Sequence, residues 1–264
     1  MPNIAVNGVR LNYIDKGEGP AIVLVHGFQS SWFAFAPIID RLAERFRVLA
    51  LDLRGHGDSE KPPGPYAIQD FSNDVLAFLD ALGLDRVDYM GQSMGGRTGT
   101  MFAIEHGDRL RRLMLVSASA SAPSGAYRAH FEGLLEIARS DGLDTIFDSE
   151  NYQSRVPPQL REGELAVEFR ERFLKNTPET YAATGNALFT MPDLTGRLDE
   201  IKVPTWVCHG GDDEGPLAFS DVYNEGLPTA RRVIISGSGH HPIWDNTDLF
   251  MSKLDEFLEE FKLS

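Results

Sequence analysis

Gly91-Gln92-Ser93-Met94-Gly95 lies between an apolar run of strand length, Val87 to Met90, and a stretch of helical spacing from Met94 to His106. Small residues at both ends permit a sharp strand-to-helix turn, whose backbone crowds its neighbours and leaves no room for side chains. Such a turn lifts a serine hydroxyl above the carboxyl ends of the strands. It also aims the Met94 N–H, at a helix N-terminus, toward a developing oxyanion. In a chain of this composition the bare pattern arises by chance on the order of once in seven. The apolar strand before it and the helix after it give it weight, against the plain alternative of a glycine-rich turn with an idle serine.

The surrounding sequence repeats the same alternation. Ile4–Val6 and Val9–Tyr13 flank Asn7-Gly8, a two-residue hairpin signal. Ala21–Val25 is an apolar run of strand length, and Trp32 to Phe46 has helical spacing through Phe35, Ile38, Ile39, Leu42 and Phe46. Val48–Leu51 reads as a strand. Asp70 to Leu82 reads as a helix that Gly83 stops, and Leu113–Val116 as another strand. Fully apolar strands joined by helices predict an α/β fold with a mostly parallel central sheet covered on both faces. The rhythm breaks at Ser117 to Ser124. From 121 to 198 the pattern is helical and amphipathic, with Phe131, Leu134, Leu135, Ile137, Phe169 and Phe173. Strands resume at Val203–Cys208 and Arg232–Ile235, and a last helix runs from about Thr247 to Phe261. The expectation is a core domain of residues 1–120 and 199–264 carrying a helical insertion at 121–198.

Composition narrows the function. With 42% hydrophobic and 10% aromatic residues, the 264-residue chain can bury a sizeable core. A formal charge of −14 disfavours nucleic acid, anionic membranes and the electrostatic capture of acidic substrates, so a small neutral or apolar substrate fits better. The single cysteine, Cys208, lies in an apolar run and reads as a core residue; it allows neither an intramolecular disulfide nor a thiolate metal cluster. No basic-then-apolar leader opens the chain, and no apolar run reaches the roughly 20 residues needed to span a bilayer. A cytoplasmic protein is expected.

A serine needs a base within hydrogen-bond reach to act as a nucleophile at neutral pH. His240 and His241 both stand in the loop Ser236-Gly237-Ser238-Gly239-His240-His241-Pro242 after a strand, and residue type alone leaves both open. His26, His56 and His209 also end strands or lie in turns, and read as structural. The base needs an acid to fix its tautomer. Asp212 and Asp213 follow the strand that ends at Cys208, in the chain order serine, acid, histidine.

His26-Gly27-Phe28, Asp52-Leu53-Arg54-Gly55-His56-Gly57-Asp58-Ser59, the serine turn and Gly239-His240-His241-Pro242 together resemble the α/β-hydrolase fold family over nearly the whole chain. The resemblance implies that His240 is the base. It implies that Asp213, three residues after Gly210, is the acid, and that the Phe28 N–H joins Met94 in an oxyanion hole. In His56 it implies a turn-stabilising residue, and in the 121–198 insertion a cap without a diagnostic motif.

Relatives that open epoxides or displace halides carry aspartate where Ser93 stands. Relatives that cleave carbon–carbon bonds usually carry a glycine-proline stretch after the His-Gly pair, where this chain has Phe28-Gln29-Ser30-Ser31. Gly91-x-Ser93-Met94-Gly95-Gly96 also resembles enol-lactonases and the menaquinone-pathway synthase, and Arg97 is similar to a residue of the latter; a solvated or ion-paired arginine is the plain alternative. The expected activity is hydrolysis of a carboxylic ester or lactone through an acyl-enzyme, with no metal and no organic cofactor. Trp32, Phe33, Phe35 and Trp244 flank the motifs as candidates for an apolar pocket, against ordinary core packing. Two rival classes stand beside this one: a lyase, perhydrolase or cofactor-free dioxygenase on the same fold, and a ligand-binding receptor that keeps the triad.

Overall fold

Asn7 and Gly8 both take left-handed φ angles, 48° and 74°, the requirement of a two-residue hairpin turn that follows strand twist. They join β1 (Asn3–Val6) to β2 (Val9–Lys16) in the antiparallel register Asn3↔Asn12 to Val6↔Val9. The computed structural model describes residues 1–123, 125–213, 222–223, 225–227 and 230–262. Six further strands follow: β3 (Ala21–Val25), β4 (Arg47–Leu51), β5 (Val87–Gln92), β6 (Leu110–Val116), β7 (Thr205–Gly210) and β8 (Ala230–Ile235). They form one eight-stranded sheet of order β1-β2-β4-β3-β5-β6-β7-β8. The N-terminal hairpin is antiparallel and joins β4 at the sheet edge, while every pairing from β4 through β8 is parallel.

The sheet is apolar on both faces because both are covered. Ile22, Leu24, Met90, Met114, Trp206 and Cys208 pack against α1 (Ala36–Ala43) and the terminal helix Thr247–Glu260. Val23, Val25, Tyr89, Leu113 and Val207, one position out of phase, pack with α2 (Ile68–Ala81) and α3 (Met94–Glu105). That two-residue period is the reason the central strands carry apolar residues at consecutive positions. Cys208 is a buried core residue, and burial pushes its thiol pKa well up.

Gly83 ends α2 as the sequence predicts. Its φ of +65° lets its N–H reach Asp80 O at 3.0 Å while Leu84 N reaches Leu79 O at 2.9 Å, the pair of bonds that closes a helix C-terminus through a left-handed residue. The stretch Trp32–Phe46 departs from a single helix. Trp32–Phe35 forms a 3-10 turn, and α1 starts only at Ala36, where Pro37 occupies the first turn and needs no N–H partner. Between β6 and β7 the chain forms α4 (Gly125–Ser140), α5 (Leu143–Phe147), α6 (Glu150–Gln153), α7 (Glu164–Phe173) and α8 (Pro178–Thr190), with no strand among the described residues. Phe131, Ile146, Phe147, Phe173 and Tyr181 give these helices an apolar cluster of their own. No helix among the described residues is long and apolar enough to cross a membrane.

Candidate active site

The chain runs from β3 out to β4 and then crosses back to β5, so the carboxyl ends of β3 and β5 face one crevice, the usual ligand position in an open α/β sheet. Ser93 stands at the end of β5 with φ 53° and ψ −112°, a conformation that costs a non-glycine residue on the order of 1–3 kcal/mol. Three glycines make the turn possible. A Cβ at Gly91 would lie 2.2 Å from Gly95 O, one at Gly95 would lie 1.9 Å from Val25 O, and one at Gly96 would lie 2.4 Å from Ala118 Cβ. The turn is further held by Ser93 N on Val116 O at 2.8 Å and Tyr89 Oη on Gly95 O at 2.7 Å.

Gly27 packs under the serine: a Cβ added there would lie 3.1 Å from Ser93 Cβ and 3.7 Å from Ser93 Oγ. Phe28, the next residue, therefore starts the opposite wall of the crevice. Met94 is the first residue of α3, so its N–H is one of the donors a helix leaves without an internal partner. The loop bearing Phe28 is braced from below. His26 Nδ1 donates to Gly27 O at 2.7 Å and its Nε2 accepts from Leu53 N at 3.0 Å. Burial lowers the His26 pKa to about 4, so it is a neutral strut. Asp52 accepts from Trp32 N, Asp58 N and Asn12 Nδ2 at 2.8, 2.9 and 3.0 Å, while burial pushes its own pKa up. His56 bonds Arg54 O at 2.9 Å and is held neutral by burial, a turn-stabilising role.

His240 meets Asp213 across the far end of the sheet, Nδ1 to Oδ2 at 2.8 Å. The imidazole is 37% exposed and the carboxylate 13%, so the ring is reachable while its partner is shielded. Asp212 is exposed, and its backbone N donates to Ser238 O at 2.8 Å. The two segments touch because Gly210 has no side chain: a Cβ there would lie 2.0 Å from Gly239 O. His241 faces the other way. Its Nδ1 lies 3.0 Å from Gln92 Nε2, an amide donor, and burial with the adjacent His240 lowers its pKa to about 3. Gln92 also donates to His240 O at 3.2 Å, tying the histidine loop to the residue that precedes Ser93. His209 bonds Ala118 O at 3.1 Å and is held near 4 by burial, another neutral strut.

The candidate pocket aromatics divide. Phe35 is fully buried among Ile22, Leu24, Ile38 and Phe250. The 3-10 turn points it into the core, so it is removed from the pocket. Phe33 and Trp244 pack on each other at 5.3 Å with Val156 and Leu160, and Trp32 lies under the Arg172 guanidinium at 4.3 Å. Two residues not anticipated from sequence face Phe28 instead: Phe131 of α4 at 5.7 Å and Tyr181 of α8 at 5.0 Å, themselves stacked at 4.8 Å. Helical periodicity marks Phe131 as buried, but only tertiary packing says against what. Arg97 is mostly enclosed, bonding Ser121 O and lying 3.2 Å from Met191 Sδ, and burial lowers its pKa. Among the described residues, no group of three His, Cys, Asp or Glu side chains could hold a metal ion.

A family model described as alpha/beta hydrolase fold matches residues 20–247. Among solved structures, the chain is similar to the enol-lactonase from Burkholderia xenovorans LB400, at 32% identity and a TM-score of 0.88, covering 98% of this chain and 100% of that one. It is similar as well to a thermophilic esterase from Thermogutta terrifontis in a malate-bound form, at 26% identity and a TM-score of 0.89, covering 100% of both. The AB hydrolase superfamily protein YisY of Bacillus subtilis (strain 168) is 28% identical over 255 residues, 92% of this chain and 93% of its own length.

Proposed function

The chain belongs to the alpha/beta hydrolase fold family, among hydrolase relatives, and from that premise we propose that it hydrolyses a carboxylic ester or lactone through an acyl-enzyme on Ser93. The observation that carries this reading is the 2.8 Å contact between His240 Nδ1 and Asp213 Oδ2, on a loop that Gln92 ties to the serine turn. A carboxylate at Nδ1 keeps the proton on that nitrogen and leaves the Nε2 lone pair free for a hydroxyl proton. The enol-lactonase and esterase relatives support the ester or lactone class.

In this mechanism Nε2 takes the Ser93 proton as Oγ attacks the carbonyl carbon. The Phe28 and Met94 N–H groups hold the oxyanion, each worth about 3 kcal/mol in comparable sites. Collapse breaks the ester C–O bond, and the imidazolium gives its proton to the departing alkoxide; in a lactone that oxygen stays on the acyl chain. Water, deprotonated by Nε2, then opens the acyl-enzyme and Ser93 recovers its proton. Phe28, Phe131 and Tyr181 offer an aromatic wall for a neutral or apolar substituent, with the segment 121–198 acting as a lid. A panel of simple esters and lactones, run with wild type and Ser93→Ala, tests the reading. Turnover that Ser93→Ala abolishes, with a trapped acyl group on residue 93, is expected. Oxygen uptake or carbon–carbon cleavage without ester turnover would overturn it.

A further inference from the structure

Asp213 orients the His240 ring, but a ring can be no better placed than the backbone that carries it. That backbone hangs in a loop containing Gly237 and Gly239, which on its own would be loose. We infer that Asp245 is a positioning residue which holds the main chain at Gly239, next to His240, so that the base loop is fixed by two carboxylates, one on the ring and one on the backbone. The inference rests on the reading of His240 as the base.

The local sequence explains how Asp245 gets there. Pro242 opens the one-turn helix Pro242–Asp245, whose Trp244 and Asp245 N–H groups both return to His241 O at 2.9 Å. That turn brings the Asp245 carboxylate back under the loop, where Oδ2 accepts from Gly239 N at 2.9 Å. The amide just ahead of His240 is therefore held by this side chain, and the carbonyl just after it, His241 O, by the turn that carries Asp245. Gln92 holds the His240 carbonyl from the opposite side, and Asp213 holds Nδ1. Nε2 is the atom these contacts leave for Ser93.

Asp245 is half-buried, and burial raises its pKa while its hydrogen bonds, His240 and Arg161 pull it down. His240 is in turn faced by Asp213, His209 from β7, His241 and Asp245. A charged Asp245 adds a second negative group beside the imidazolium that forms in each proton transfer. Two substitutions separate its contributions. Asp245→Ala removes both acceptor and charge, whereas Asp245→Asn keeps an oxygen acceptor and removes the charge.

The test measures kcat, KM and the pH dependence of kcat/KM on a p-nitrophenyl ester, with melting temperatures alongside. Asp245→Ala is expected to lower kcat by on the order of 100-fold with KM within about twofold, as misplacement of a catalytic group does. Asp245→Asn is expected to keep kcat within about threefold at pH 8 and to move the acid limb of kcat/KM down by roughly half a unit. Wild-type kcat and an unmoved pH profile in both variants would overturn the inference. So would an equal loss in both, accompanied by a lowered melting temperature and no shift of the acid limb, which is the signature of a merely structural residue. Ser93→Ala and His240→Ala are run beside them: full turnover in those two would refute the proposed base itself, and their inactivity with unaffected Asp245 variants would refute only the role of Asp245.

Discussion

The rim of the sheet and the helices between β6 and β7 are built by different rules. At the rim, positions are set by backbone contacts that admit no side chain: Gly91, Gly95 and Gly210 each stand where a Cβ would fall about 2 Å from a carbonyl oxygen. In the helical segment, positions are set by aromatic side chains meeting one another, as in Phe131, Tyr181 and Phe189. The first kind of packing has one solution, because no side-chain rotation can relieve a backbone clash. The second tolerates repacking as long as volume and apolar character are kept. On the proposed function, chemistry that needs atoms placed to a fraction of an ångström falls to the rim, and substrate choice to the segment that can vary.

Substitutions at the two regions should accordingly differ in kind. Ser93→Ala and His240→Ala should each lower kcat by on the order of 10⁴-fold or more while the melting temperature stays within about 2 °C, since neither side chain fills the core. Asp213→Asn should cost about tenfold to a hundredfold less than those two, because the hydroxyl, the base and the oxyanion donors of the proposed mechanism remain. Steady-state kinetics on one ester, with thermal melts, check both. His241→Ala should be mild by comparison, and an inactive His241→Ala would move the base to that ring.

Acid should affect the rim through its neutral histidines. His26 and His209 are held near 4 and His241 near 3, against an ordinary value of 6.5 in the unfolded chain. Above pH 7 both states are neutral there, and these groups add no pH dependence. As pH falls through 6.5 toward 4, the unfolded chain binds protons that the native state refuses, so stability declines across that window. Melts between pH 8 and 4 should show a plateau followed by a steepening fall. A flat profile would mean that these rings charge freely in the folded protein.

The smallest effect is expected in the helical segment. A Cβ at Gly185 would lie 1.9 Å from Phe131 Cζ, so Gly185→Ala must displace that ring from its place against Phe28, Tyr181 and Phe189. KM for bulky esters should change several-fold and kcat for the smallest ester should stay within about twofold, with a stability cost of about 1–3 kcal/mol. A large loss on every ester would show that the segment bears on the chemistry as well as on the choice of substrate.

The same contrast explains what could be read without coordinates. The strands, the glycine-lined serine turn and the Gly83 helix stop follow from local patterns of two, three or four residues. So does the Asn7-Gly8 hairpin. Gln92 and Asp245 carry no such pattern. Gln92 reads as the variable position of its motif, and its contact with His240 spans 148 residues of chain. Phe35 misleads only as a pocket candidate, from its place beside the motifs; its helical spacing holds, and it packs in one core cluster with Ile38, Ile39, Leu42 and Phe46. Phe131 and Tyr181 meet Phe28 only after α4 and α8 pack together, which no single stretch of sequence encodes.

Catalysis on this reading turns on a hydroxyl made nucleophilic by a ring delivered from a loop far along the chain. Treatment with a fluorophosphonate, followed by intact mass and peptide mapping, tests it most directly. One adduct per chain is expected, on Ser93, with labelling slowed by orders of magnitude in His240→Ala and little changed in His241→Ala. An unlabelled Ser93 in folded protein, or labelling at an unchanged rate without His240, would contradict it.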